Sequence, residues 1–220
     1  VSFTKIHNNR IEVWPPTGSS TATVTGVSLD ALSNSNISID GTVSDNDISC
    51  QNPASGIGTL TVGVDLAGGQ EYIVHHNQIN SCFNGVNVAC YETTSGVIAS
   101  GGNISIDHNR IKYGSGAKIQ TCGFGNSVRG NYLAWGSGST AFPYGNTCKG
   151  GTNARAICQV NGDCNSNVCQ QEPVMWAGRD GLNGGSVGHG GIVGNLLHSH
   201  YNTTYIRFAD SAKRCTAVGT

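Results

Sequence analysis

Residues 103–112 read NISIDHNRIK, and the placement of Ile104, Ile106 and Ile111 among polar neighbours decides how the whole chain is read. Asn109 stands two positions before Ile111. The same Asn-x-Ile or Asn-x-Leu pair recurs at Asn9/Ile11, Asn46/Ile48, Asn77/Ile79, Asn131/Leu133 and Asn195/Leu197. Successive spacings of 37, 31, 32, 22 and 64 residues describe a repeat of variable length. Alternating apolar residues with β-branched side chains predict short strands, and long apolar runs of 3.6-residue period, which would predict helices, are missing. Such a repeat implies stacked units, each too small to bury its apolar face alone.

Gly-Val, Gly-Ala or Gly-Leu pairs at Gly26-Val27, Gly63-Val64, Gly96-Val97, Gly116-Ala117 and Gly181-Leu182 precede the next repeat Asn. Each unit therefore reads as a Gly-Val strand, a turn, a second strand and then Asn-x-Ile. This arrangement resembles right-handed parallel β-helix proteins of the pectin-lyase-like group, over roughly residues 1–133 and again over 176–208. The resemblance implies an all-β, right-handed parallel β-helix solenoid with a disulfide-rich insert, in which stacked Asn9, Asn46, Asn77, Asn109, Asn131 and Asn195 pin one turn. Stacked amides also have a direct physical reason, because they supply hydrogen-bond partners to turn groups that would otherwise be buried unpaired. Handedness follows from the chirality of parallel crossovers.

Composition fits this reading. There are 32 glycines and only 11% charged residues, well under the roughly one quarter usual for soluble domains. Gly and Asn accept the positive φ of tight turns. The formal net charge of −1, with no basic run, gives no electrostatic footprint for nucleic acid. No apolar stretch approaches the length of a membrane span. Residues 1–220 read as one β-helix domain or a fragment of a longer one. The first repeat Asn lies only eight residues after Val1, where a capping unit is expected, so a longer parent chain or a neighbouring copy is the expected continuation.

The periodicity breaks over 136–175, a Cys-rich irregular segment. Between Asn131 and Asn195 there is room for two ordinary coils plus this insert, or for one coil with a very long loop. Cys148, Cys158, Cys164 and Cys169 fall within 22 residues. They read as staples formed in an oxidising compartment, and the chain as secreted or exposed at a cell surface. Their spacing lacks the two close pairs of a zinc site. Cys50 and Cys82 follow their repeat Asn residues at similar distances, so stacking predicts a bridge between adjacent coils. Cys122 is a candidate partner for Cys90, and Cys215 ties the tail to the insert.

Aligning the repeat Asn residues creates surface columns. One place after them stand Arg10, Asp47, Gln78, Arg110, Tyr132 and Leu196; one place before stand Asn8, Asp45, His76, His108, Gly130 and Gly194. Mixed charge with His and Tyr suits an extended polar ligand, and Trp14, in a loop with two prolines, offers a rigid face for a sugar. The candidate ligand-binding residues are Trp14, His76, His108, Arg110, Tyr132 and Trp176. Strand alternation sends His75 and His76 to opposite faces, so only one of them joins His108, and no metal site is expected. Asp45 and Asp47 share a face by the same rule.

Gly188-His189-Gly190 and Arg110-Ile111-Lys112 resemble the Gly-His-Gly and Arg-Ile-Lys elements of polygalacturonases. The resemblance implies glycoside hydrolysis, although the order of the elements is reversed and the family's paired aspartates and Asn-Thr-Asp element are missing; such chemistry generally needs two carboxylates. A lyase would use Arg as base beside a uronic acid, for which Arg179 and Asp180 are available. The candidate catalytic set is thus His189, Arg179 and Asp180, with no cofactor implied, since no G-x-G-x-x-G opens a nucleotide site. The expected function is an extracellular structural or recognition module that self-associates into oligomers or filaments or engages surface polysaccharide. The alternative is a carbohydrate-active enzyme, a glycoside hydrolase or polysaccharide lyase acting on an acidic glycan.

Overall fold

The computed structural model describes residues 2–14, 23–30, 39–51, 60–67, 71–92, 98–100, 103–114, 116–121, 125–135, 146–148, 161–165, 167–171, 175–177, 190–199, 206–208 and 215–218. Their strands fall into three parallel sheets that wind as a right-handed β-helix. Sheet one holds Ser2–His7, Ile39–Ser44, Tyr72–His75, Ser105–Asp107, Ser127–Arg129, Gly190–Val193 and Cys215–Val218. Sheet two holds Arg10–Val13, Asp47–Cys50, Gln78–Asn80, Arg110–Lys112, Tyr132–Trp135 and Leu196–Ser199. Sheet three holds Thr23–Asp30, Leu60–Ala67, Asn84–Glu92, Ile119–Thr121, Met175–Ala177 and Ile206–Phe208. The chain visits the sheets in the order one, two, three and then begins the next coil.

Period-2 alternation, repeated coil after coil in one register, turns isolated apolar residues into continuous stacks. Sheet one aligns Ile6, Val43, Val74, Ile106, Val128 and Ile192. Sheet two aligns Ile11, Ile48, Ile79, Ile111, Leu133 and Leu197. Sheet three aligns Val27, Val64, Val86, Ile119 and Met175. Away from the end coils these side chains are sealed from solvent. Each fully buried aliphatic side chain contributes about 1.5–3 kcal/mol, so the core is the sum of many equal layers.

The turn from sheet one to sheet two carries the asparagine ladder. Asn77 shows the pattern: its Oδ1 accepts from the backbone N–H of Asn46 and from Asn46 Nδ2, both at 3.0 Å. Its own Nδ2 donates to Val43 O at 2.8 Å, to His75 O at 3.0 Å and to Asn109 Oδ1 at 3.0 Å. The same contacts continue through Asn109, Asn131 and Asn195. The residue before each ladder Asn has positive φ: Asn8, Asp45, His76, His108, Gly130 and Gly194 lie between 55° and 61°. Only a few residue types, Gly, Asn, Asp and His among them, occupy this region readily, so the column one place before the ladder owes its composition to the backbone.

Two further points correct the sequence reading. The Gly-Val step of coil three is Gly85-Val86, since Val86 aligns with Val64; Gly96-Val97 lies outside the described residues. In coil four the aligned residue is Ile119, preceded by Lys118, and Gly116-Ala117 lies just ahead of the strand. Close approach explains the glycines: a Cβ on Gly63 would lie 2.6 Å from Ile79 Cγ2 and 2.7 Å from Gly85 O. Between Asn131 and Asn195 the chain makes one coil, because Tyr132–Trp135 in sheet two is followed in sheet three by Met175–Ala177. The connection carries a small antiparallel ladder, Asn146–Cys148 with Cys169–Gln171.

Cys50 and Cys82 form the expected bridge between coils two and three, with Cα atoms 4.7 Å apart. Cys148 and Cys164 are bridged within the insert, and Cys169 is also disulfide-bonded. Cys90 and Cys215 lie in strands, but the pairings expected for them fall outside the described side chains, as do Cys122 and Cys158. Among the described residues no helix is long and apolar enough to cross a membrane.

Candidate functional site

On sheet two of coils two to four the side chains one and three places after the ladder Asn lie on the outer side, because the Ile between them fills the core. In coils three to five this outer face presents Gln78 and Asn80, then Arg110 and Lys112, then Tyr132, with strands paired in exact register. The Arg110 guanidinium carbon sits 5.5 Å from the Tyr132 ring centroid. Lys112 Nζ lies 5.5 Å from the centroid of Tyr113 and 5.7 Å from that of Tyr132. These are cation–π distances, so the rings hold both cations against the face. Tyr113, itself at positive φ, is 42% exposed and leaves ring surface free for a ligand.

Among the described residues no carboxylate interrupts this group on the outer face. The acidic residues of sheet two stand in the first coils: Glu12 is paired with Arg10 at 3.1 Å, and Asp47 follows. Asp107 lies across the turn, engaged by His108 Nδ1 at 3.5 Å and by Arg129 Nη2 at 3.8 Å. Among the described residues, the sheet-two outer face of coils three to five therefore gathers Arg110 and Lys112 with the Tyr132 and Tyr113 rings, on a chain that is nearly neutral overall.

The histidines depart from the strand-alternation expectation. His76 occupies the positive-φ turn, so it does not point opposite to His75. The two rings meet edge to face with their Nδ1 atoms sharing a hydrogen bond of 2.7 Å, while His76 stacks on His108 at 5.4 Å. Three imidazoles thus touch beside the basic face. Among the described residues no group of three His, Cys, Asp or Glu side chains is placed to hold a metal ion. The same turn separates Asp45 from Asp47, so alternation does not relate their side chains either.

Of the sequence candidates, His76, His108, Arg110 and Tyr132 come together. Trp14 is exposed but follows the sheet-two strand of coil one, three strand spacings from Arg110, or about 14 Å along the axis. Trp176 lies in sheet three, in register with Gln120 and Arg207. His189, Arg179 and Asp180 lie outside the described residues. Lys112 and Tyr113 were not among the candidates. Their signal was present in the sequence, because alternation from Arg110 puts Lys112 on its face, and Tyr113 follows at the strand end.

Among the described residues one cation is buried in the interior. Lys118 is completely buried, and its Nζ donates to Gly116 O at 3.0 Å and to Gly114 O. Desolvation drives its pKa well below the ordinary lysine range. It lies inside the solenoid wall and takes no part in the outer face.

Comparison with family models, curated proteins and solved structures finds no match to this chain.

Proposed function

We propose that this chain is an extracellular recognition module that engages an acidic polysaccharide along the outer face of sheet two. The observation that carries the reading is the pairing of Arg110 and Lys112 with Tyr132 and Tyr113 on adjacent coils. A pyranose offers an apolar C–H face and, in an acidic glycan, a carboxylate or sulfate. Tyrosine rings supply the stacking surface, and a guanidinium supplies paired donors for the anion. Sheet strands repeat at about 4.8 Å, so successive coils can address successive parts of one extended chain. The disulfides fit an oxidising compartment outside the cytosol.

The test is affinity electrophoresis and calorimetry with a polyuronate, a sulfated polysaccharide and a neutral glucan. Retention by either acidic polymer is expected, weakening as salt rises. Arg110→Ala with Lys112→Ala should weaken retention at least tenfold at low salt, and Tyr132→Ala should weaken it without steepening the salt dependence. Equal retention by the neutral glucan, or an unchanged double variant, rejects this face as the site.

A further inference from the structure

We infer that Asn103 is an acceptor for N-linked glycosylation. Among the described residues it is the only asparagine heading an Asn-x-Ser or Asn-x-Thr triplet, Asn103-Ile104-Ser105, and such a triplet is informative only when its fold context allows attachment. Three features supply that context.

Asn103 is exposed, at φ 57°, on the corner where the chain enters the sheet-one strand Ser105–Asp107. The matching corners of the flanking coils are Glu71 at 64° and Gly125 at 70°, so this is a built turn that recurs in three coils. Ile104 faces inward and is 1% exposed, with its N–H donating to Asn126 Oδ1 at 3.1 Å. That inward residue is the middle member of the triplet, which leaves Asn103 and the half-buried Ser105 on the outer side of the same segment. A transferase needs that pair together.

The third feature is contrast with the ladder. Asn77, Asn109 and Asn131 are each 1% exposed, and their amide nitrogens donate to backbone and to the next amide. A substituent on any of those nitrogens would break the stack. The Asn103 side chain makes no hydrogen bond among the described residues, and its Oδ1 lies over Gly125, where a Cβ would collide with it. Its Nδ2 can take a substituent without loss of any bond. The attachment point is on the sheet-three to sheet-one corner, whereas Arg110 stands on sheet two after the next turn and Tyr132 on sheet two one coil later, so the glycan is attached on a different corner from the basic face.

The reaction is a group transfer from a lipid-pyrophosphate-linked oligosaccharide. Asn103 Nδ2 forms a bond to the anomeric carbon, the bond from that carbon to the pyrophosphate oxygen breaks, and the lipid pyrophosphate leaves. The displaced amide proton passes to a base of the transferase.

The full chain, secreted from a eukaryotic host, tests this by intact mass and by peptide mapping after enzymatic deglycosylation in heavy-oxygen water. The peptide containing Asn103 is expected to carry the heavy aspartate tag in more than half of the molecules. Ser105→Ala should remove the tag while leaving the Cys50–Cys82 linkage and polyanion retention unchanged. An untagged Asn103 peptide in the folded, secreted protein overturns the assignment, whatever the state of the triplets at Asn36 and Asn202. A tag that persists in Ser105→Ala overturns the triplet argument.

Discussion

Removing one amide from the middle of the ladder should cost far more than removing one from its rim. Asn109 Oδ1 accepts from the N–H and the Nδ2 of Asn77, both at 3.0 Å. Its Nδ2 donates to Val74 O at 2.8 Å, Asp107 O at 3.2 Å and Asn131 Oδ1 at 3.0 Å. In Asn109→Ala the Asn77 N–H loses its acceptor and Val74 O loses the amide donor, inside a site that excludes water. At about 1–3 kcal/mol per buried group left unmade, the cost is about 2–6 kcal/mol, a large share of the roughly 5–15 kcal/mol that holds a domain together. Asn109→Asp sharpens the test, because an aspartate keeps the acceptor for Asn77 but sets an oxygen against Val74 O; it should fall in the same range at neutral pH. At the rim, Asn9 is exposed and water can replace its amide, so Asn9→Ala should cost no more than about 0.5–1 kcal/mol. Urea midpoints followed by circular dichroism measure the three variants. Amide exchange at Asn77 and Arg110 reports the local effect, which matters in a solenoid whose units couple to neighbours. A cost below about 1 kcal/mol for Asn109→Ala, or equality with Asn9→Ala, would refute the view that the ladder amides hold the turn.

Two other outcomes follow from buried chemistry. Lys118 is depressed by desolvation, so between its folded pKa and the ordinary lysine range the unfolded chain binds the extra proton. Stability should therefore rise with pH across that window, by at most about 1.4 kcal/mol per pH unit. Lys118→Met should flatten the rise, and identical stability–pH curves for the two proteins would contradict the assignment. The Cys50–Cys82 bridge closes a loop with a sequence separation of 32, for which the chain-entropy model gives about 3–4 kcal/mol. The double variant Cys50→Ala with Cys82→Ala should lower the urea midpoint accordingly, and an unchanged midpoint would refute this chain-entropy contribution, leaving residual structure in the unfolded chain as the restraint.

The ladder and the strand periods were legible because each Asn-x-Ile marks the same backbone event in every coil. The Cys50–Cys82 bridge followed from that alignment alone. What stayed hidden was the positive-φ residue in front of each ladder Asn. Strand alternation was carried through that turn, so His75 and His76 were sent to opposite faces and Asp45 was aligned with Asp47. The Gly-Val step of coil three was misplaced because two such pairs, Gly85-Val86 and Gly96-Val97, lie within one coil, and only strand pairing distinguishes them. Lys118 could not be foreseen either: it stands next to the core stack where the preceding coils have glycine, and its burial depends on the carbonyls of Gly114 and Gly116.

The ladder also sets the geometry of the candidate site. Arg110 N donates to Asn77 O and Tyr132 N to Asn109 O, each at 2.9 Å, while Asn109 N donates to Asn131 Oδ1 at the same distance. These bonds fix the sheet-two strands of adjacent coils residue against residue, so Tyr132 stands beside Arg110 and within reach of Lys112. A slip of one residue would turn Tyr132 into the core and Leu133 out to solvent, because side chains alternate with period 2. The cation–ring pairs thus depend on a register set by buried amides behind them. The coils that carry them are also joined by the shortest repeat, 22 residues between Asn109 and Asn131, which brings the cations of one coil and the ring of the next together with little intervening chain.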